Sequence, residues 1–389
     1  MTASPAKNVV VLGSTGSVGT QALDVVRCHP GRFRILGLSG GSRWEALARQ
    51  AAEFRPEVAA IADLDAAEKL AGCLNGLGVQ VLSGPESLEL LAAWDGADIV
   101  LSAVSGAAGL PAALAALRSG KTLALANKEA MVLGGPLLMD LASRTGAVIV
   151  PVDSEHSALF QLLRGLPREE VSRVVLTASG GPFCGLTPAE LERVTPEDAL
   201  RHPTWNMGRK ITVDCATLMN KALEVIEARW LFDLPPDRIG VLIHPQSVIH
   251  CLVELVDGSV LAHMGAPDMR LPIQYALGYP ERRPGPAARL DLGRVGVLEF
   301  REPDAEAFPA LALGYRVAET GGTAGAVLSG ANEVAVEAFL AGRIRFTDVV
   351  RVVRAVLDRH RVVPQVTFEA ALAADRWARE EAEHCLELP

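Results

Sequence analysis

Val9-Val10-Val11-Leu12-Gly13-Ser14-Thr15-Gly16-Ser17-Val18-Gly19 is the stretch whose reading decides the fold. Its four leading apolar residues make a buried strand, and Thr20 to Cys28 carry helical periodicity, so the glycines fall between a strand and a helix. Glycine belongs at such a place because the backbone must turn tightly, approach a pyrophosphate closely and pack helix against strand. The backbone of Gly13, Thr15, Gly16, Ser17 and Val18 then faces an anion at the positive end of the helix. A glycine pattern by itself could be a plain structural turn. The order strand, loop, helix is what makes it a dinucleotide fingerprint.

Outward from this loop, short apolar runs alternate with longer amphipathic ones as far as Pro151. Strands are expected over 9–12, 34–39, 58–62, 79–82, 99–103, 122–126 and 147–150. Such alternation implies parallel strands with crossover helices, hence an α/β, Rossmann-like, doubly wound sheet. The uncharged stretch from Ile99 to Leu117 is long enough for a membrane span, but Gly106, Gly109 and Pro111 make it a strand, a turn and a helix starting near Pro111. At the end of the second strand the chain reads Ser39-Gly40-Gly41-Ser42-Arg43, with no carboxylate before Glu45. An acidic residue there would accept from a ribose 2′-hydroxyl, whereas small polar and cationic groups suit a 2′-phosphate. NADP is therefore favoured, with Gly41, Ser42 and Arg43 as candidate contacts. Arg43 could instead be a solvated residue at a helix start.

Past Pro151 the rhythm changes. A helix near Ser157 to Leu163, a strand near Val171 to Ala178 and a turn-rich segment from Gly180 to Gly208 precede a helix near Thr217 to Phe232. Strands then cluster at 239–243, 247–255 and 260–264, which describes a central α+β domain. The Pro-, Gly- and Arg-rich run from Tyr279 to Gly293 reads as a linker. Helical periodicity dominates afterwards, with starts marked by Thr347 and Thr367, giving a small C-terminal helical bundle. The expected division is a cofactor domain over residues 1–152, a catalytic domain over 153–282, a linker over 283–304 and the helical domain over 305–389.

The 389 residues are 49% hydrophobic and 21% charged, enough for more than one packed core and too apolar for disorder. A formal net charge of -9 argues against nucleic acid or an anionic membrane as partner, while leaving room for a local basic pocket. Six cysteines without paired spacing fit neither a disulfide framework nor a zinc cage. A reducing cytoplasm is the expected compartment, and no targeting segment is evident.

Asp153-Ser154-Glu155-His156 follows the last expected Rossmann strand, near the strand ends where ligands bind. In an extended backbone Asp153 and Glu155 face one side and can converge on a cation. A third carboxylate, Glu224, shares a helix face with Asn220 four residues earlier, and Lys221 borders that face. All-oxygen ligands suit magnesium or manganese better than zinc. The bland alternative is that Asp153 and Glu155 merely cap the following helix.

Longer motifs add to this. GSTGSVG, ANKE (126–129), PVDSEH (151–156), ASGGPF (178–183), HPTWNMG (202–208), MNKALEVIEARWLF (219–232), HPQSVIH (244–250) and GAPDMRLPIQYAL (265–277) occur in order. This set resembles the 1-deoxy-D-xylulose 5-phosphate reductoisomerase family. The resemblance implies NADPH-dependent isomerisation and reduction of 1-deoxy-D-xylulose 5-phosphate to 2-C-methyl-D-erythritol 4-phosphate, one divalent cation in each active site, and a homodimer. It implies metal ligation by Asp153, Glu155 and Glu224, with Lys128, Glu129 and Ser154 around the reacting end of the substrate and Glu155 also in contact with it. Substrate contacts fall to Ser179, Cys215, Asn220, Lys221 and Glu224, a closing loop to His202, Trp205 and Met207, and further cofactor contacts to Asn127, Glu129 and Gly208. Cys215 departs from the family's usual serine, a stronger hydrogen-bond donor. His244 and His250 are left as strand histidines.

Two other readings compete. A plain NADP-dependent dehydrogenase would share the sheet without needing the three carboxylates, and an NADP-sensing regulator would need no catalytic set at all. Metal dependence separates the first, and the intact Lys128, Ser154, Glu155 and Glu224 argue against the second.

Overall fold

Val9, Val10, Val11 and Leu12 are fully buried, each such side chain contributing roughly 1.5–3 kcal/mol relative to exposure, so this strand sits at the centre of its sheet. The structure, a computed structural model, describes residues 5–205 and 207–387. The chain packs into two units: one of Met1–Asn127, Leu138–Ser157 and Asp268–Ala288, the other of Lys128–Leu137, Ala158–Pro267 and Arg289–Pro389.

The first unit is a parallel sheet of seven strands: β1 (Lys7–Leu12), β2 (Phe33–Gly40), β3 (Val58–Ile61), β4 (Gln80–Ser83), β5 (Ile99–Ser102), β6 (Thr122–Leu125) and β7 (Ile149–Pro151). Their order is β4-β3-β2-β1-β5-β6-β7, so the winding reverses between β1 and β5. Each expected strand is present, and the Rossmann-like sheet of the sequence reading stands. The switch point opens a crevice beyond the carboxyl ends of β1 and β5, the usual ligand position in such sheets. The uncharged stretch resolves into β5, a turn at Gly106 with φ 73° and the helix Gly109–Arg118, and no helix among the described residues is long and apolar enough to cross a membrane. Part of the expected linker is anchored in this unit: His29 Nε2 lies 2.9 Å from the Pro284 carbonyl and Gln274 Nε2 donates to the Arg283 carbonyl at 2.6 Å.

The second unit holds a sheet of β8 (Val171–Ala178), β9 (Ile239–Ile243), β10 (Ile249–Leu255) and β11 (Val260–Met264) in the order β11-β10-β8-β9. β8 and β9 are parallel; β10 runs antiparallel to β8 and β11. The helices Ala310–Thr320, Ala324–Leu340, Phe346–Arg359 and Phe368–Glu387 complete it. Small residues set their spacing: a Cβ on Gly314 would meet Ala222 Cα at 2.6 Å, and one on Gly325 would meet the Val132 carbonyl oxygen at 2.2 Å.

Several boundaries differ from the expectation. The first helix begins at Ser17, not Thr20, because Gly16 already takes the extended cap conformation. The helix expected over 217–232 is found as Met219–Leu231, and a helix the sequence reading did not expect, Arg209–Ala216, precedes it, the two separated where Leu218 adopts φ 59°. The turn-rich segment carries two single-turn helices, Pro188–Leu191 and Pro196–Ala199, each closed by a reciprocal Thr and acidic-residue cap. Thr367 does cap its helix, accepting from the Ala370 amide at 3.1 Å, but the preceding helix starts at Phe346, with the Arg345 amide donating to Asp348 at 3.1 Å.

Candidate active site

In the first unit the glycine loop is fixed from three sides. Gly13 has φ 78°, and a Cβ there would meet the Ala103 carbonyl oxygen at 2.5 Å. A Cβ on Gly19 would meet the Gly13 carbonyl oxygen at 2.3 Å, which is the close approach of helix to strand that the third glycine allows. The Gly13 amide donates to Ser39 Oγ at 2.9 Å and the Ser14 amide to the Ser39 carbonyl at 2.7 Å. Ser14 Oγ donates to Gln50 Oε1 at 2.7 Å while Gln50 Nε2 donates to the Ser14 carbonyl at 3.0 Å. Thr15 is buried, Ser17 exposed, and Gly16 caps the helix with no side-chain hydrogen bond, so the amides of the first turn keep their anion-binding character. Gly41, Ser42 and Arg43 are exposed at the end of β2, with Arg43 at the N-cap of the helix Trp44–Phe54. Asn127 is 2% exposed, and its Nδ2 donates to the Val104 carbonyl at 2.8 Å beside the switch point.

Asp153 and Glu155 are held by helix geometry, not by the strand alternation expected from sequence. The helix Ser154–Leu162 starts directly after Asp153, whose carbonyl accepts from the Ser157 amide at 2.8 Å. Asp153 Oδ1 lies 2.9 Å from His156 Nδ1, with His156 fully buried, and Ser154 Oγ donates to Glu155 Oε2. The buried imidazole fixes the orientation of the Asp153 carboxylate, as hydrogen bonds from neighbouring groups do for carboxylates that ligate metals.

In the second unit Lys128, Asn220, Lys221 and Glu224 form one cluster. Lys128 Nζ donates to Asn220 Oδ1 at 2.6 Å and stands 3.5 Å from Glu224 Oε1. Asn220 Nδ2 donates to Glu224 Oε1 at 2.6 Å, the i to i+4 pairing expected from their spacing, and Lys221 Nζ pairs with Glu224 Oε2. The side chains of Lys128, Lys221 and Glu224 are 7%, 3% and 1% exposed, so these are charges largely removed from water. Cys215 lies near this cluster electrostatically; burial, foremost, pushes its thiol far up, and Glu224 and Asp214 add to that.

Ser179 and His202 meet in the same unit at 3.0 Å. His202 Nδ1 accepts from the Thr204 and Trp205 amides at 3.1 and 2.9 Å, so Nε2 carries the proton and donates to Ser179. Burial holds this imidazole below its ordinary value, in keeping with a neutral ring. Trp205 is half-buried with its ring 6.5 Å from that of His250. Met207 is half-buried and Gly208, exposed, caps the helix Arg209–Ala216; Asn206 of the same motif lies outside the described residues.

Sequence reasoning missed Lys210, Asp214 and Asn332. Lys210 Nζ pairs with Glu129 Oε1 at 2.9 Å and with Asp214 Oδ2 at 2.8 Å, while Asn332 Nδ2 donates to Asp214 Oδ1 at 2.8 Å. The i to i+4 spacing of Lys210 and Asp214 was a visible signal, whereas nothing local ties either to Asn332.

A glycine loop at the switch point of a parallel sheet, in a chain that also carries a buried lysine–carboxylate cluster, defines a dinucleotide-dependent oxidoreductase. Residues 9–135 match the family described as 1-deoxy-D-xylulose 5-phosphate reductoisomerase, residues 149–232 its C-terminal domain family, and residues 264–381 the DXP reductoisomerase C-terminal domain. The chain belongs to the 1-deoxy-D-xylulose 5-phosphate reductoisomerase family. It is 55% identical over 377 residues to the 1-deoxy-D-xylulose 5-phosphate reductoisomerase of Thermomicrobium roseum, covering 96% of each chain. Among solved structures, the Zymomonas mobilis enzyme in complex with NADPH matches at 41% identity and TM-score 0.92, over 99% of this chain and 100% of that one. A DOX-P reductoisomerase in complex with NADPH, fosmidomycin and magnesium matches at 40% identity and TM-score 0.94, over 98% of each.

Proposed function

We infer that this protein catalyses the NADPH-dependent isomerisation and reduction of 1-deoxy-D-xylulose 5-phosphate to 2-C-methyl-D-erythritol 4-phosphate with the help of a divalent cation. The observation that carries the reading is the buried Lys128–Asn220–Lys221–Glu224 cluster, which a dehydrogenase acting through its sheet alone would not need. Cofactor binding falls to the first-turn amides and to Gly13, Thr15, Gly16, Ser17 and Val18 for the pyrophosphate, and to Gly41, Ser42 and Arg43 for the 2′-phosphate. Asn127, Glu129 and Gly208 serve the nicotinamide side. When bound, NADPH supplies the hydride.

Asp153, Glu155 and Glu224 are the candidate cation ligands, and their chemistry fits a hard ion: all are carboxylates, and Asp153 is steered by the buried His156. A bound cation supplies Lewis acidity toward the substrate's carbonyl and hydroxyl oxygens. Lys128 brings an ammonium to the charge that develops on those oxygens. Lys221, Asn220, Ser179, Cys215 and Ser154 bind and orient the phosphorylated ketose. His202, Trp205 and Met207 cover it and keep water from reactive intermediates. In this division of labour residues 1–152 bind the cofactor, 153–282 carry the chemistry, 283–304 link and 305–389 support. A cytoplasmic homodimer belongs to the same reading; the exposed Val260 and Leu261 on the edge strand β11 offer an edge for a second copy, which light scattering on the purified protein measures.

The test follows NADPH absorbance with 1-deoxy-D-xylulose 5-phosphate, with added magnesium or manganese and after chelation. Oxidation is expected only when substrate and cation are both present. Oxidation that survives chelation would move the assignment to a metal-independent dehydrogenase.

A further inference from the structure

We propose that Asn332 is a positioning residue for the reaction: it fixes Asp214, Asp214 fixes Lys210, and Lys210 holds Glu129 beside Lys128. The inference rests on the reading above that Lys128 and Glu129 face the reacting end of the ligands.

Asn332 is fully buried in the helix Ala324–Leu340, where most neighbours are Ala, Val, Leu and Phe. An amide in such a place is unfavourable unless it is used. Its use is the 2.8 Å bond to Asp214 Oδ1, whose other oxygen takes Lys210 at 2.8 Å. Lys210 therefore serves two buried carboxylates, Asp214 and Glu129, with one charge. The amide of Asn332 meets the remaining demand of Asp214 without adding charge, which neither an ionised aspartate nor a lysine at this position could do.

The support is rigid. The Cβ that Gly325 lacks would meet the Val132 carbonyl oxygen, so this helix lies directly on the one that carries Glu129, and a Cβ on Gly330 would meet the Asp375 carbonyl oxygen at 2.9 Å. Next to Asn332, Glu333 is held by Arg379 at 2.7 Å, and Arg379 also takes Asp375 at 2.8 Å. Burial works against the Lys210 charge, yet Asp214 and Glu129 keep its ammonium well above the ordinary value. Burial likewise works against the Glu129 carboxylate, and Lys210, followed by Lys128, brings it below its ordinary value. The charged and titratable groups around the relay are Lys128 and Glu129 from one helix, Lys210, Asp214 and Cys215 from a second, Glu333 from its own, and Asp375 and Arg379 from the last; Lys221 and Glu224 act on Cys215.

Asn332→Asp tests this, because its carboxyl mimics the amide donor only while protonated. At pH about 6 the variant is expected to keep kcat within roughly threefold of the parent; by pH about 8.5 kcat falls on the order of tenfold or more, while both KM values move less than about threefold. Parent-like kcat and pH profile in this variant overturn the proposal, whatever happens to Tm. If it fails to fold, Asn332→Ser, whose hydroxyl is too short to reach Asp214, is expected to lower kcat by about tenfold at near-parent KM, and unchanged kcat overturns the relay. The 15N signal of the half-buried Lys210 ammonium, which needs no turnover, is expected to shift in Asn332→Ser. An unmoved signal overturns the relay, whereas a parent protein inactive on the substrate overturns only the functional reading.

Discussion

Glu224 is a carboxylate with two ammonium neighbours and an amide donor, enclosed so that almost none of it meets water. Replacing it by glutamine keeps the shape and removes the charge that Lys128 and Lys221 share. The two buried ammoniums would then lose the carboxylate they share, and removing one partner of a buried ion pair typically costs about 3–5 kcal/mol. Glu224→Gln is therefore expected to lower Tm in chelated buffer and to reduce kcat by about 100-fold or more when the cation is restored. An unchanged Tm would mean that the two lysines do not depend on this carboxylate. Part of the cluster was legible in the sequence, because Asn220, Lys221 and Glu224 lie within one turn and helix geometry alone brings them together. Lys128 joins them from 92 residues away, and Asn332 reaches Asp214 from 118, separations at which no spacing rule applies. Only the resemblance singled out Lys128, and nothing singled out Asn332.

At the scale of an element, the turn from β1 into its helix concentrates the most information. Gly13 needs its positive φ, and Gly19 needs the missing Cβ because the obstacle is backbone, which cannot swing aside as a side chain can. Gly19→Ala is expected to push the helix away from the loop and raise the KM for NADPH by about tenfold or more, with kcat at saturating NADPH less affected and stability lowered by about 1–3 kcal/mol. Fluorescence titration with NADPH checks it; parent-like affinity would show that the loop tolerates a displaced helix. The strands of this unit could be read directly, since parallel strands buried on both faces are plain apolar runs. Helix starts were harder: Gly16 caps without a side chain, and the break at Leu218 is a backbone event in a residue that carries no turn signature. The anchoring of Arg283 and Pro284 was hidden for a related reason, because their carbonyls do the work and a Pro- and Arg-rich run advertises only its lack of periodicity.

Across the whole molecule, a net charge of -9 coexists with two lysines, Lys128 and Lys221, buried against carboxylates and a third, Lys210, half-buried against two more. That arrangement makes stability depend on pH through particular groups, not through the overall charge. On the acid side, burial depresses His202, so its neutral ring contributes stability above the ordinary histidine range that is lost as pH falls through its lowered value. On the alkaline side, burial raises the Cys215 thiol: below its ordinary value of 9.0 folded and unfolded chains both keep the proton, and above it only the unfolded chain releases it. Stability is then expected to fall as pH rises past about 9, by up to about 1.4 kcal/mol per pH unit from this one group. Lys210, raised from an ordinary value of 10.5, adds its own loss only beyond that point and does so equally in a Cys215 variant. In chelated, reduced buffer, Tm of the parent is expected to decline between pH about 8.5 and 10.5, and Cys215→Ser, which has no proton to release there, is expected to decline less. Turnover of Cys215→Ser at pH about 7.5 should stay near the parent value, since a serine hydroxyl can make the same contact more strongly. Parallel Tm curves would show that Cys215 titrates alike in both states and does not set the alkaline limit of stability.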